Sequence, residues 1–196
     1  MFIMKSLVLY LLFSFISLTL AAQTYSYEIR YGSHVIGNIT AVQKITGTTR
    51  KIAIQSNVDM KPLAKFNLNI DCDYDNNVLL LANAKRTTGK EGDNKYSITR
   101  KDGKNYSINH NGERSVLNNT DIIHTVAELY FFEPHHITSI FSELQGAFLP
   151  LKSLGNGLYE LTLPEGKKNV YKYEKGTLVQ VEIPQAFGKA LVVKIS

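Results

Sequence analysis

Apolar residues recur at every second position through most of this chain, and short runs of turn-forming residues interrupt them. The first such run places four residues on one face: Tyr25, Tyr27, Ile29 and Tyr31. Because the side chains of a β-strand point alternately to opposite faces, this period indicates strands with one buried face. Closely spaced turns join such strands as antiparallel neighbours. The pattern therefore predicts a mainly β protein with an antiparallel sheet.

The turns between the predicted strands carry their own signals. Asp102-Gly103, Asn111-Gly112 and Asn156-Gly157 are dipeptides that tolerate positive φ angles and favour tight hairpins. The candidate strands cover residues 25–31, 35–45, 51–60, 63–73, 77–85, 96–101, 105–110, 147–154, 158–163, 169–174, 178–183 and 190–195. Since large twisted sheets curl, we expect a curved antiparallel sheet of about 10–12 strands that closes into a barrel or half-barrel.

The apolar spacing changes from two to three and four between Thr120 and Leu144. Such spacing is typical of amphipathic helices. A first helix would end at Pro134, and Gly146 would close a second. The sequence thus predicts two short helices inserted near residues 121–145, each with an apolar face that packs against the sheet.

The amino terminus has the features of a secretory signal peptide. Lys5 precedes an apolar run from Leu7 to Leu20, and Ala21-Ala22 supplies small residues for cleavage. We therefore expect residues 1–22 to be a signal peptide and residues 23–196 to form a single β-barrel-like domain. The mature protein would be exported to the periplasm or the extracellular space. Because the apolar run is too short for a comfortable membrane anchor, we do not expect an integral membrane protein.

Charge and cysteine content limit the classes of partner. The chain has 22 Lys and Arg against 17 Asp and Glu, a net charge of +5. The basic residues are scattered in pairs such as Lys85-Arg86 and Lys167-Lys168, with acidic residues between them, so we expect no nucleic-acid partner. Cys72 is the only cysteine, which excludes an intramolecular disulfide bond. We interpret it as a small apolar residue inside a strand.

No sequence motif for catalysis is present, and we predict no catalytic residue and no cofactor. The best candidates for a metal site are His124, Glu133 and His135, because imidazole and carboxylate groups can bind zinc or transfer protons. His135 and His136 are adjacent and cannot share a helical face, so their spacing fits no common ligand pattern. A metal-dependent or His/Glu-based hydrolase is therefore kept as an alternative function.

The aromatic content indicates a different function. The chain has eleven Tyr, nine Phe and no Trp. Tyrosines inside a barrel give an apolar wall whose hydroxyl groups can orient a ligand. We therefore expect a lipid or other apolar small molecule to bind between the sheet and the helices, and the candidate ligand-binding residues are Tyr27, Tyr130, Phe141, Tyr171 and Tyr173. A second alternative is a structural or protein-interaction module that pairs an exposed strand edge with an envelope protein partner.

Several aromatic, proline and glycine positions resemble those of an uncharacterised family of exported bacterial proteins. The matching segments are Tyr27-Glu28-Ile29, Ile36-Gly37, Tyr130-Phe131-Phe132-Glu133-Pro134, Phe141-Ser142-Glu143, Gly146, Phe148, Tyr159-Glu160-Leu161, Leu163-Pro164-Glu165-Gly166, Asn169, Tyr171, Tyr173 and Gly176. The family is known as a domain of unknown function, so it offers no catalytic residues to transfer. The resemblance implies a curved, barrel-like antiparallel sheet, similar in architecture to periplasmic lipid and lipoprotein carriers.

Overall fold

The structure is a computed structural model that describes residues 20–60, 64–88, 92–185 and 188–196. These residues form one sheet of fourteen antiparallel strands. The predicted signal peptide lies almost wholly outside the described residues. The strands are β1 (Leu20–Tyr31), β2 (His34–Thr46), β3 (Thr49–Met60), β4 (Ala64–Asp75), β5 (Val78–Thr88), β6 (Lys95–Asp102), β7 (Asn105–His110), β8 (Glu113–Leu117), β9 (Ser139–Ser142), β10 (Ala147–Gly155), β11 (Leu158–Thr162), β12 (Lys168–Glu174), β13 (Thr177–Gln185) and β14 (Gly188–Lys194).

Strands that follow each other in sequence are neighbours in the sheet, except that β8 and β9 lie at its opposite edges and β1 pairs with β14. The spatial order is β8-β7-β6-β5-β4-β3-β2-β1-β14-β13-β12-β11-β10-β9. Strands β1 and β14 pair from Tyr27 opposite Lys194 to Tyr31 opposite Ala190. The mainly β, antiparallel prediction is therefore confirmed. The strand number was wrong, because the described strands number fourteen rather than 10–12. Of the two expected shapes the closed barrel was wrong, because β8 and β9 are the two edges of an open sheet.

The alternating pattern that predicted the strands also decides which face is buried. In β3, Ile52, Ile54 and Val58 are buried while Lys51 and Gln55 are exposed. A turn of the predicted type connects β10 to β11, where Asn156 and Gly157 both have positive φ angles of 52° and 72°. Period and turn chemistry therefore identified twelve of the fourteen described strands, and only β8 and β9 were missed.

The open sheet curls until its two halves come close together. Lys95 of β6 lies 4.0 Å from Glu165, which belongs to the turn between β11 and β12. Gly146, just before β10, lies so close to β7 that a Cβ atom there would stand 2.8 Å from Ile108 Cγ2. The sheet thus surrounds an interior without a hydrogen-bonded seam between its edges.

Residues 118–138, which we name the crossing segment, connect β8 to β9 and so run across the inner face of the sheet. The prediction of two short helices near residues 121–145 was wrong. Within that stretch the structure has one five-residue 3-10 helix, Val126–Tyr130, and the second predicted helix is replaced by strand β9. Among the described residues no helix has the length and apolar content needed to span a bilayer.

The crossing segment is irregular because the sheet satisfies its backbone groups. The Leu79 N–H donates to the Ile122 carbonyl at 2.9 Å, and the Phe141 N–H donates to the His124 carbonyl at 2.9 Å. These bonds replace the intrahelical bonds that a helix would supply. The spacing of three and four therefore reflects side chains that pack into a curved interior, not a helical repeat.

Candidate ligand-binding cavity

Tyrosine hydroxyl groups from the sheet hold the crossing segment in place. The Tyr106 hydroxyl donates to the Leu79 carbonyl at 2.7 Å and accepts from the Ile122 N–H at 3.2 Å. The Tyr173 hydroxyl donates to the Leu129 carbonyl at 2.6 Å. Burial raises the pKa of both tyrosines, which keeps the hydroxyl groups protonated as donors. The inward-facing tyrosines at this end of the interior therefore bind protein backbone.

A buried ion pair anchors the 3-10 helix to the sheet. Glu128 is paired with Arg50 of β3 and accepts the Thr125 N–H at 2.8 Å, which completes a capping box. The Arg50 guanidinium also lies 4.2 Å from the centre of the Tyr74 ring. Burial raises the pKa of Glu128 to about 7, against the opposing effects of Arg50 and the Thr125 N–H. This ion pair fixes the position of the 3-10 helix, which forms part of the floor of an interior cavity.

A second buried acid, Glu143, joins the crossing segment to β4. Its Oε1 accepts the Ala127 N–H at 2.9 Å and lies 3.6 Å from the Cys72 sulfur. Burial raises the pKa of both Glu143 and Cys72. Cys72 is 3% exposed within β4, which confirms the interpretation of this residue as a buried strand position. Burial favours the neutral form of the Glu143 carboxyl group. A neutral carboxyl group lowers the free-energy cost of placing an apolar group beside it.

Above this floor the interior is open and forms a cavity of about 400 Å³. Its volume lies within the range of small-molecule sites, roughly 300–1,000 Å³. Most of the wall is aliphatic and comes from the inner face of the sheet: Ile29, Ile36, Ile39, Ile54, Val58, Leu68, Ile70, Leu161, Leu163, Val181, Ile183 and Val192. The crossing segment contributes Val126, Ala127 and Tyr130 to the floor. The cavity is therefore an apolar chamber between the sheet and the crossing segment.

The rim of the cavity is cationic. Arg86 near the end of β5, Lys95 at the start of β6, and Lys167 before β12 all line it. One carboxylate, Glu165, lies among them and pairs with Lys95. The rim, which we define as Arg86, Lys95, Glu165 and Lys167, thus combines three positive groups with one negative group.

The structure places the predicted ligand-binding residues in two groups. Tyr130 and Tyr171 line the cavity. Tyr27 packs edge-on against Tyr130 with ring centres 5.4 Å apart, and Phe141 packs edge-on against Phe148 at 5.4 Å. The Tyr173 hydroxyl donates to the Leu129 carbonyl of the crossing segment. Two of the five candidates therefore reach the cavity directly, and the other three support the floor and the walls.

The predicted metal ligands do not gather at one point. Glu133 accepts the Tyr159 hydroxyl at 2.9 Å and lies 3.6 Å from His135 Nε2. His124 instead lies 4.0 Å from Glu128, and burial, together with the nearby Arg50, lowers its pKa. Within residues 20–60, 64–88, 92–185 and 188–196 no group of three or more His, Cys, Asp or Glu side chains could hold a metal ion.

Sequence reasoning missed the cationic rim, because it treated the basic pairs as scattered surface charge. A usable signal was present in β5. Arg86 has the same parity as the buried Ala82 and Ala84, whereas Lys85 has the exposed parity. A basic residue in phase with the buried face of a strand predicts a charge that points inward.

A family model matches residues 27–195, which include thirteen of the fourteen strands completely. The chain belongs to the DUF6134 family. Its description is a domain of unknown function, so membership assigns no activity. A comparison with curated proteins found no match.

One solved structure resembles this DUF6134 protein over most of its length. It is titled as the crystal structure of a β-barrel-like protein of the domain of unknown function DUF1849 from Brucella abortus. The TM-score is 0.53 at 9% sequence identity, and the alignment covers 92% of this chain and 98% of that one. At this identity the likeness concerns the fold alone, and it agrees with the barrel-like sheet of the DUF6134 chain.

Proposed function

We propose that this protein is an exported envelope protein that binds a hydrophobic or amphiphilic ligand between its curved sheet and the crossing segment. The observation that carries the proposal is the apolar cavity of about 400 Å³. A folded interior is normally packed to the density of an organic crystal, with few voids larger than a water molecule. An aliphatic chamber of this size is therefore a feature that ligand binding explains and stability does not.

The way in which the interior is divided supports the same proposal. The half around the crossing segment is filled by large, fully buried side chains such as Tyr106, Leu79 and Leu129. The other half, between Ile54, Val58 and Val192, is open although its walls are equally apolar. Large side chains fill one half of the interior, which shows that this chain can pack such a space. The unfilled space in the other half therefore has the character of a binding site.

The experiment is to express the chain with residues 1–22 present in a bacterial host, purify it from the periplasm, and compare native with denaturing mass spectra. We expect a denatured mass that corresponds to cleavage near Ala22, and a native mass higher by one small apolar molecule that lipid extraction identifies. A cytoplasmic, uncleaved product would contradict export. A ligand-free native mass, with no apolar probe bound on titration, would contradict the binding proposal.

A pair of variants locates the ligand. Val58 is 4% exposed and lines the cavity, so Val58→Phe would project a larger side chain into the open space. We expect this variant to fold and to lose the ligand. Val116→Phe is the matched control, because Val116 is 58% exposed on β8 and does not line the cavity. If both variants retain the ligand equally, binding occurs outside the cavity.

A second candidate function is protein interaction through the edge of the sheet. Among the described strands β8 pairs only with β7, and four residues are exposed along it: Glu113, Arg114, Ser115 and Val116. An edge strand of this kind can accept a strand from another chain. The test is a pull-down from envelope extract with the wild type and Val116→Lys, where one stoichiometric partner lost in the variant would favour this function.

The hydrolase alternative stays a sequence prediction. Glu133 and His135 are close enough to exchange a proton, but His124 pairs with Glu128 instead. Elemental analysis of the purified protein tests the metal-dependent form of this hypothesis. A stoichiometric zinc content lost on substitution of His124 or His135 would revive it.

A further inference from the structure

We propose that the ligand is a single-chain amphiphile with one anionic head group, whose chain lies in the cavity and whose head group contacts Arg86 and Lys95 at the rim. This inference rests on the proposed function, because it names the class of molecule that the cavity takes. Three features support it: the charge of the rim, the unsatisfied hydrogen-bonding capacity of Arg86, and the volume of the chamber.

Arg86 points toward the cavity from the buried face of β5. It is half-buried, and its Nε atom is inaccessible to water with no hydrogen-bond partner among the described residues. A buried guanidinium nitrogen without an acceptor is costly, because it has lost its hydration and gained nothing in exchange. An acceptor supplied by a ligand would remove that cost.

Lys95 stands directly beside Arg86, because the two residues are cross-strand partners in the pairing of β5 with β6. Two like charges in this position repel each other. The Glu165 carboxylate lies 4.0 Å from the Lys95 ammonium group and offsets its positive charge. Lys167 adds another positive charge to the rim. The rim therefore has a net charge of +2 from three cations and one anion, which attracts an anionic group and repels a cationic one.

The chemistry of the two side chains favours a carboxylate or a phosphate. A guanidinium group presents parallel N–H donors that match the two oxygens of such an anion, and the adjacent ammonium group supplies further donors. Both anions share this recognition, so head groups of either kind belong to the proposed class. The cationic groups lie at the opening of a mainly apolar chamber, whose wall also includes Ser56, Glu143 and Asn169. This arrangement orients the ligand with its head group outward.

The volume of the chamber fits one acyl chain. A cavity of about 400 Å³ corresponds to roughly 13 water volumes at about 30 Å³ each. A methylene group occupies a volume similar to that of a water molecule, so a chain of about a dozen carbons fills the space.

The test uses the protein freed of copurifying lipid and four probes with the same twelve-carbon chain: dodecanoate, dodecyl phosphate, monododecanoylglycerol and dodecyltrimethylammonium. Isothermal titration calorimetry below each critical micelle concentration gives the four dissociation constants. We expect the two anions to bind at least tenfold more tightly than the neutral probe, and the cation to bind most weakly. Tighter binding of dodecanoate would identify a fatty-acid-like head group, and tighter binding of dodecyl phosphate a phosphate head group.

Two rim variants assign the preference to named residues. Arg86→Gln and Lys95→Gln should each weaken dodecanoate binding by about tenfold, since a charge-assisted hydrogen bond is lost. Neither should change the affinity for monododecanoylglycerol. The matched controls are Arg100→Gln and Lys51→Gln, because both residues are exposed and neither lines the cavity. Thermal unfolding of all four variants verifies that the comparison is made between folded proteins.

Equal affinity for all four probes, or equal effects of the rim and control variants, would overturn this inference and leave the proposed function in place. Failure of every probe to bind wild-type protein would overturn both.

Discussion

Replacement of Tyr106 by Phe should destabilise the protein by removing the hydroxyl group that joins β5, β7 and the crossing segment. The Tyr106 hydroxyl donates to the Leu79 carbonyl at 2.7 Å and accepts from the Ile122 N–H at 3.2 Å. Leu79 and Ile122 are both 0% exposed, so water cannot replace the lost partner. The ring of phenylalanine fills the same space, and no cavity is created. The loss can therefore be assigned to hydrogen bonding.

The magnitude follows from the two backbone groups left behind. Each buried polar group that loses its partner costs about 1–3 kcal/mol, so the loss of two partners should lower the free energy of unfolding by about 2–6 kcal/mol. The bond from the Leu79 N–H to the Ile122 carbonyl remains and keeps the two segments adjacent. This bond makes the lower half of the range the better expectation.

The assay is urea unfolding followed by circular dichroism, with the m-value compared between variants. Tyr96→Phe is the matched control, because Tyr96 is 38% exposed and should change the free energy by less than about 0.5 kcal/mol. Amide hydrogen exchange should show faster exchange at Ile122 in Tyr106→Phe than in the wild type. A loss below about 0.5 kcal/mol in Tyr106→Phe, with unchanged exchange at Ile122, would refute the role assigned to this hydroxyl group.

Three further predictions concern buried groups elsewhere in the sheet. Burial raises the pKa of Glu128 from 4.5 to about 7. The contribution of the protonated carboxyl group to the free energy of unfolding is therefore complete below pH 4.5. It falls by about 3 kcal/mol as the pH rises through 7. Urea unfolding at pH 5 and pH 8 should show this loss in the wild type, and Glu128→Gln should show a smaller difference between the two pH values. Gly37→Ala should lower the melting temperature and reduce the free energy of unfolding by about 1–3 kcal/mol. The reason is that a Cβ atom at Gly37 would stand 2.1 Å from the Asn57 carbonyl oxygen. A calorimetric melting temperature equal to that of the wild type would contradict this close approach. Cys72 should not react with a thiol reagent in the folded protein, since it is 3% exposed and burial raises its pKa, and rapid labelling without unfolding would show that the strand opens.

The structure explains two positions that were noticed in the sequence without a reason. Gly37 belongs to the segments that resemble a family of exported proteins, and its requirement is steric, because β3 passes directly over it. Glu143 belongs to the same set, and its carboxyl group joins the crossing segment to β4. Both roles depend on residues far away in the chain, so local sequence patterns could not reveal them.

The sequence predicted an apolar interior between the sheet and residues 121–145, but not the side chains that line the cavity. The tyrosine content indicated an interior with hydroxyl groups, and the structure has such an interior. Most of the hydroxyl groups named above bind the crossing segment, however, and aliphatic residues such as Ile54 and Val192 form the cavity wall. The sequence does not distinguish a tyrosine that faces the cavity from one that faces protein backbone, because both have the same parity along a strand.

The sequence by itself determined most of the strands, the tight turns and the antiparallel character of the sheet. These features depend on contacts between residues close together in the chain, namely the two-residue period of a strand and the positive φ angles of turns such as Asn156-Gly157. Only the tertiary structure decided that the sheet stays open, that residues 118–138 cross its interior as an irregular segment, and that Arg86 and Lys95 meet at the rim of a cavity. The physical reason is that these outcomes depend on long-range pairing and on backbone groups satisfied by distant partners such as Tyr106, which no local period encodes.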